Sequence, residues 1–294
     1  MKLSKNLRHI LNHPLNKTRK FQSIIRFMKW QIGSRLVPGE VICPWINNTK
    51  LIIRHGETGL TQNLYCGLSD FSEMGYLLHI LRDSDLFVDI GANAGAYTIL
   101  ASGAIGCRSI SFEPVPSVNH RLMMNVLIND ITDKVNCMNY AIGAEEGEIS
   151  ITSNLDTMNH ISSDTNKNCI PVKIFPLDRL MKDELPNFLK IDVEGFEMNV
   201  LRGGVETLRK ESLHSIIVET NGNGERYGFS DDNIHNLLTV FGFKPFNYDP
   251  FNRILTELDW ERRKPGNSLF IRNSNSLIAR LKESPPFSVH QINI

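Results

Sequence analysis

Ten residues in the second half of the chain, Phe188-Leu189-Lys190-Ile191-Asp192-Val193-Glu194-Gly195-Phe196-Glu197, set three carboxylates and an amine at the end of an apolar run. Alternation along a strand sends Lys190 and Asp192 to the same side. The bland account is solvated charge at a strand terminus. Opposite charges crowded beside a ligand crevice can instead tune a general base that removes a hydroxyl proton. Asp192 is the first candidate base, with Glu194 or His160 as substitutes and Lys190 as the neighbour that tunes it. A different arrangement has Asp192, Glu219 and Asn221, at the ends of adjacent strands, hold Mg²⁺ and through it a substrate oxygen, since hard oxygen ligands suit that ion.

A second constellation lies a hundred residues earlier. Phe87-Val88-Asp89-Ile90-Gly91-Ala92-Asn93-Ala94-Gly95-Ala96-Tyr97-Thr98 reads as an apolar strand entering a Gly-x-Asn-x-Gly turn and then a helix. Glycines let backbone approach a ligand, and a helix start offers unpaired N–H groups. Asp89 at the strand end would repel a pyrophosphate. It would favour the cationic methionine part of S-adenosylmethionine, directly or through water. Glu113, in Ser109-Ile110-Ser111-Phe112-Glu113-Pro114, falls at the end of the next strand, where a carboxylate can accept both ribose hydroxyls. Asp89, Gly91, Asn93, Gly95, Tyr97, Glu113 and Ala141 make up the expected cofactor site; the bland account is a generic nucleotide-binding crossover with NAD or nothing bound.

A third motif competes with these. Leu51-Ile52-Ile53-Arg54-His55-Gly56-Glu57-Thr58 resembles the signature of phosphoglycerate mutase-like histidine phosphatases, in which the His is the nucleophile and the Arg holds phosphate. That chemistry needs a second His. His160 and His214 are present, but neither sits in a His-Gly turn. The alternative is a hairpin with 56–59 as its turn.

Positioning these groups requires a sheet. From Leu86 onward, strand-like runs at 86–90, 108–112, 135–141, 188–191 and 215–218 alternate with helical stretches at 97–103, 117–128, 197–210 and 232–241. The pattern predicts an α/β fold with a doubly wound, mostly parallel sheet, which binds ligands at its strand carboxyl ends. Two β-like runs, 148–152 and 170–175, flank a polar loop and read as an insertion (about 147–178) over the site. The runs 243–248 and 268–272 predict a closing antiparallel pair. Residues 1–40 form a basic arm, 41–84 a lead-in of β-hairpin and helix, 85–272 the catalytic domain, and 273–294 a tail with little periodicity, expected at the periphery.

Taken together, VDIGANAG, FEP, Asn125 and Asn129 in a helix, LDRL at 177–180, and LKIDVEGFEMNVLRGG before IIVE resemble the FkbM-family methyltransferases. The resemblance covers roughly residues 41–272, and DVEGFE is its most discriminating element. It implies a class I Rossmann-like methyltransferase sheet with S-adenosylmethionine at Asp89, Gly91, Asn93, Gly95 and Glu113. It also implies O-methylation of sugars in glycans or of hydroxyls in natural products. No motif matches the arm or the tail.

Bulk properties agree with an enzyme of this kind. With 294 residues, 41% hydrophobic and 22% charged, the chain can fill a large core, which excludes general disorder. No apolar run reaches membrane-spanning length and no secretory signal is apparent, so a cytoplasmic protein is expected. Its five cysteines are scattered and never form Cys-x-x-Cys, which suggests neither a disulfide framework nor a zinc cluster. The zero net charge conceals a first segment of 39 residues with nine Lys and Arg and no acid. Phe21, Ile24, Ile25, Met28 and Ile32 share one helical face there. Such a segment can contact an anionic membrane or glycan, or pack as a helical pair on the main domain. An arm-anchored binding protein without catalysis is thus one alternative. Modification of nucleic acid is disfavoured, because no aromatic-rich basic platform accompanies the charge.

Overall fold

The computed structural model describes residues 2–37, 39–57, 59–152, 160–161 and 169–294, and the side chains of these from residue 6 onward. An eight-stranded sheet runs in the order Ile254–Glu257, Lys244–Asp249, Gly266–Ile271, Ser215–Thr220, Phe188–Ile191, Leu86–Ile90, Arg108–Phe112 and Val135–Met138. The last five in that order are parallel; the first three are joined antiparallel. This is the doubly wound, Rossmann-like α/β sheet expected of the sequence. Every residue of Leu86–Ile90 and Phe188–Ile191 is buried, as central strands covered on both faces must be. Burying each such Phe, Leu or Val contributes roughly 1.5–3 kcal/mol.

Several elements differ from expectation for local reasons. The run 135–141 splits: Val135–Met138 edges the main sheet, while Ala141–Gly143 joins Gly147–Thr152 and Cys169–Pro176 in a separate three-stranded sheet. The Asn139 amide fixes the break by donating to the Glu113 and Pro114 carbonyls, both at 2.9 Å. The stretch 197–210 is two helices, Glu197–Arg202 and Val205–Arg209. A Cβ on Gly203 would stand 1.9 Å from the Gly143 carbonyl oxygen, so the chain must break where it crosses that strand. Asp178 of the LDRL turn restarts it, accepting from the Glu206 and Thr207 amides at 2.9 and 2.7 Å. The closing pair is three strands; Ile254–Glu257 is mostly exposed and therefore carries no apolar run to betray it.

Both chain ends are built into the body. The 273–294 segment is not peripheral: its helix Ser274–Lys282 buries Leu277 and Leu281, and the short pair Ser288–Val289 and Ile292–Asn293 buries Val289. Arg280 forms an ion pair with Asp85 just before the first parallel strand. In the arm, the Lys20–Leu36 helix packs through Phe27 and Trp30, with the small Ser23 and Ser34 allowing close approach. The periodic apolar face containing Phe21, Met28 and Ile32 points outward. The lead-in hairpin pairs Glu40–Pro44 with Lys50–Arg54 and turns at residues 45–49, so its turn is not at 56–59, where Thr58 lies outside the described residues.

Candidate active site

Parallel strands deliver their carboxyl ends to one edge of the sheet, and register decides which side chains meet there. Asp89 is paired with Lys190 and Ser111, and Lys190 with Ile217, so the chemistry-bearing strand ends converge. The resulting cleft encloses about 230 Å³. Asp89, Gly91, Asn93, Tyr97, Glu113, Ala141, His160, Lys190, Asp192, Glu194 and Glu219 all line it. Gly95 and Asn221 do not. Gly95, at φ +93°, starts the helical turn Ala96–Thr98, and Asn221 accepts from the Asn223 amide in its own loop at 2.9 Å.

The first half of the cleft is a backbone cradle. Gly91 has φ +82°, and its amide and that of Ala92 donate to the Phe112 carbonyl at 2.9 and 3.0 Å. A Cβ on Gly91 would lie 1.9 Å from the Asp192 carbonyl oxygen, so the two catalytic-side loops touch through this glycine. Asn93, at φ +50°, donates its amide to Glu113 Oε2 at 3.0 Å, and the Val115 amide donates to Oε1 at 2.9 Å. A carboxylate has about four acceptor positions. Glu113 therefore keeps acceptor capacity for a ligand. Asp89 accepts from the Thr98 hydroxyl at 2.7 Å. Asn125 holds the cradle from outside: its amide donates to the Ala94 carbonyl at 2.9 Å while its oxygen accepts from Ile52 of the lead-in at 2.7 Å.

Burial raises both carboxyls, Asp89 to about 6 and Glu113 to about 7, against the unfolded values of 3.8 and 4.5. A raised folded-state value means the native protein binds extra protons between the two values. The stability these groups lend is complete below about pH 4 and is lost as pH rises through 6 and 7. Without ligand, the melting temperature is expected to fall between pH 5 and pH 8, and Glu113→Gln to flatten that slope. A melting series across the range checks it; an unchanged slope in the variant would remove Glu113 as the source. Gly91→Ala is expected to lower Tm by about 5 °C or more, because it combines left-handed strain with a backbone collision. A Tm within a degree of the parent would show that the loops separate readily.

The second half carries the candidate base. Lys190 is only 2% exposed and donates from Nζ to Asp192 Oδ2 at 2.8 Å, over the Tyr97 ring at 5.1 Å. Burial alone would lower the Lys190 value, but Asp192, Asp70 and Asp89 outweigh it and raise it, so the ammonium is kept. Asp192, Glu194 and Glu219 bring carboxylate oxygens within 4.8 Å of one another. Asp192 and Glu219 of the expected metal set thus group with Glu194 and not with Asn221. Burial, then Asp192 and Glu197, raise Glu194 to about 7. Burial, then Asp192 and Glu194, raise Glu219 to about 9, and its Oε2 is buried without a partner among the described residues. Asp192 is the member of the trio that pairs with Lys190.

The loop geometry that presents these groups is unusual. Glu194 itself has φ +55°, followed by Gly195 at +104°, whose Cβ would meet the Asn223 carbonyl oxygen at 2.5 Å. Glu194 Oε2 accepts from Asn223 Nδ2 at 3.0 Å. Glu197 is 2% exposed and closes the loop, accepting from the Val193 and Gly195 amides at 3.0 and 3.1 Å; it holds shape and does not reach the cleft. His160 also lines the cleft and donates its amide to Thr152 Oγ1 at 2.9 Å; residues 153–159 and 162–168 around it lie outside the described set.

Residues the sequence reading passed over come from the lead-in. Gly59, Leu60, Asn63, Ser69, Asp70 and Met74 form one wall of the cleft. Asp70 accepts from the Tyr97 hydroxyl at 2.9 Å and from Asn267 at 3.3 Å, joining lead-in, cradle and closing strands. Its place before Phe71–Ile80 reads as an ordinary helix cap, and no motif marks it. By contrast, the Arg-His-Gly-Glu stretch lies away from the cleft. Arg54 pairs with Glu40, Glu57 with Arg121, and His55 Nδ1 is 2.9 Å from Ser34 Oγ. These contacts tie the hairpin to itself, to the helix Pro116–Ile128 and to the arm.

The family model of the methyltransferase FkbM domain matches residues 89–245, more than half of the chain, and includes the strand ends from Asp89 to Glu219. The chain belongs to the FkbM methyltransferase family. Among curated relatives of this FkbM protein, the hexuronic acid methyltransferase AglP of Haloferax volcanii is 27% identical over 146 residues, spanning 49% of this chain and 59% of that one. The match thus covers about three fifths of the relative's length. Solved structures similar to the FkbM chain include Pyrococcus horikoshii TYW2 in complex with MeSAdo, at 12% identity, 80% and 70% coverage and TM-score 0.41. An rRNA methylase from Streptococcus thermophilus is similar at 13% identity, 68% and 93% coverage and TM-score 0.38.

Proposed function

We propose that this FkbM protein transfers the methyl group of S-adenosylmethionine to a hydroxyl oxygen of a sugar in a glycan or glycosylated metabolite. The observation that carries this is the pairing, across one cleft, of a buried two-carboxylate cradle (Asp89, Glu113) with an ion-paired base candidate (Asp192) on the neighbouring strand end. The cradle suits the cofactor: Glu113 retains acceptor positions for ribose hydroxyls, and Asp89 lies where a positive charge needs balancing. Ala141, Ile142, Val115 and Val118 supply an apolar wall for a flat base. When bound, the cofactor supplies an electrophilic methyl on a sulfonium centre.

The protein's own work is then limited and specific. Asp192 accepts the hydroxyl proton of the acceptor, held in place by Lys190, while Glu194 and Glu219 at its side hydrogen-bond neighbouring sugar hydroxyls. Orientation of the oxygen for in-line approach accounts for most of the remaining acceleration. A sugar acceptor is favoured by the polar trio and by the activity named for AglP. Lys190 already provides the positive charge that Mg²⁺ would bring to Asp192, so turnover is expected to survive EDTA. Loss on chelation with rescue by Mg²⁺ would instead make Asp192, Glu194 and Glu219 ligands. The reading itself is tested by incubating the protein with methyl-labelled S-adenosylmethionine and a panel of glycans and glycosides. Label in an acid-stable methyl ether supports it; label on nitrogen or carboxylate, or none with any acceptor, contradicts it.

A further inference from the structure

The helix Lys20–Leu36 has two apolar faces, and only one is used by the fold. Inward, Phe27 and Trp30 are buried between Ser23 and Ser34. Outward, Phe21, Ile25, Met28, Ile32 and Leu36 succeed one another at steps of four, three, four and four, forming one continuous stripe. Phe21 is 74% and Leu36 75% exposed, and Val37 beyond the helix end is also exposed. Folded proteins seldom leave so regular a stripe to water; such patches mark a partner or a membrane.

The flanking charges identify the partner. At 100° per residue, Arg35 borders the stripe on one side and Lys29 on the other, and both are exposed. No acidic residue occurs among the first 39, which carry nine Lys and Arg. A second copy docked by the same stripe would bring these cations against their own equivalents with nothing to offset them, because a two-fold interface is self-complementary. An anionic lipid surface accepts both features: apolar side chains enter the headgroup boundary, and each basic residue contributes about 1 kcal/mol. The helix, about 25 Å long, fits along the interface and not across it. Among the described residues, no helix is long and apolar enough to cross a membrane.

We propose that the outward face of Lys20–Leu36 seats the protein on anionic phospholipid. The consequence reaches the cleft. Phe27 packs on Tyr65 at 5.2 Å between ring centroids, and Gln31 Nε2 donates to the Tyr65 hydroxyl at 3.0 Å. Tyr65 belongs to Gly59–Cys66, whose Gly59, Leu60 and Asn63 line the cleft. A docked molecule therefore holds its cleft one helix away from the membrane-facing helix, suited to a sugar carried on a lipid; this last step rests on the methyl-transfer reading, whereas docking does not.

The full chain is mixed with phosphatidylcholine vesicles, with and without phosphatidylglycerol, and bound protein is separated by flotation at low and high salt. Binding is expected with phosphatidylglycerol only and is expected to weaken with salt. The triple variant Phe21→Ser, Met28→Ser, Leu36→Ser and the double variant Lys29→Glu, Arg35→Glu should each lose about tenfold or more in binding. All five positions are exposed, so melting temperature and S-adenosylhomocysteine binding should match the parent. Parent-like vesicle binding by either variant overturns the proposal. So does a concentration-dependent dimer that the triple variant dissociates while the parent ignores vesicles. Lost cofactor binding with intact flotation would instead strike at the transfer reading alone.

Discussion

Asp192→Asn is expected to lower kcat by about a thousandfold while S-adenosylhomocysteine affinity stays within about twofold, in line with the usual contribution of general-base catalysis. Asparagine keeps the size and the hydrogen bond from Lys190 Nζ but cannot take a proton. Within the trio Glu219 is held protonated near neutral pH by burial and its neighbours, which leaves Glu194, raised to about 7, as the one carboxyl able to substitute. Removing the charge beside Lys190 leaves a buried ammonium balanced only by the more distant Asp70 and Asp89. Some loss of stability is therefore expected alongside the loss of rate, and single-turnover rates at a temperature well below the variant's Tm separate the two. Glu194→Gln should cost about tenfold, since its role is to orient the acceptor. A near-normal kcat in Asp192→Asn would move the base to Glu194 or His160.

Glu113→Ala should weaken cofactor binding by about a hundredfold, the equivalent of roughly 3 kcal/mol. Two losses add in that variant. The ligand forfeits its hydrogen bonds to a carboxylate, and the Asn93 and Val115 amides lose the acceptor that shapes the cradle. Glu113→Gln retains one acceptor oxygen, so an intermediate loss is expected. Calorimetric titration distinguishes these outcomes; parent-like affinity in Glu113→Ala would place the ribose elsewhere in the cleft.

The parallel half of the sheet was legible because its strands are short apolar runs ended by polar residues. Asp89, Glu113 and Asp192 announce themselves as charges where such a run stops. The rest was hidden where a residue's partner is remote in sequence. Asp70 lines the cleft, but its hydrogen-bond partners, Tyr97 and Asn267, are 27 and 197 residues away. Glu197 looks like another acid in a crowded motif, yet its carboxylate serves two amides of its own loop. The break at Gly203 depends on the Gly143 carbonyl of a strand in another sheet. In the arm, periodicity found a genuine apolar face but could not tell which side the domain occupies, because Phe27 and Trp30 compete for burial on the other. For the tail, Leu277, Leu281, Phe287 and Val289 are too few and too spread to form a pattern, although all four are buried.

The most direct test is a calorimetric titration of the purified protein with S-adenosylmethionine and S-adenosylhomocysteine, beside NAD. Saturable micromolar binding of both sulfur nucleotides, absent for NAD and weakened in Glu113→Ala, is the predicted result. Binding of NAD in their place, or no binding of either sulfur nucleotide by protein that melts cooperatively, would contradict it.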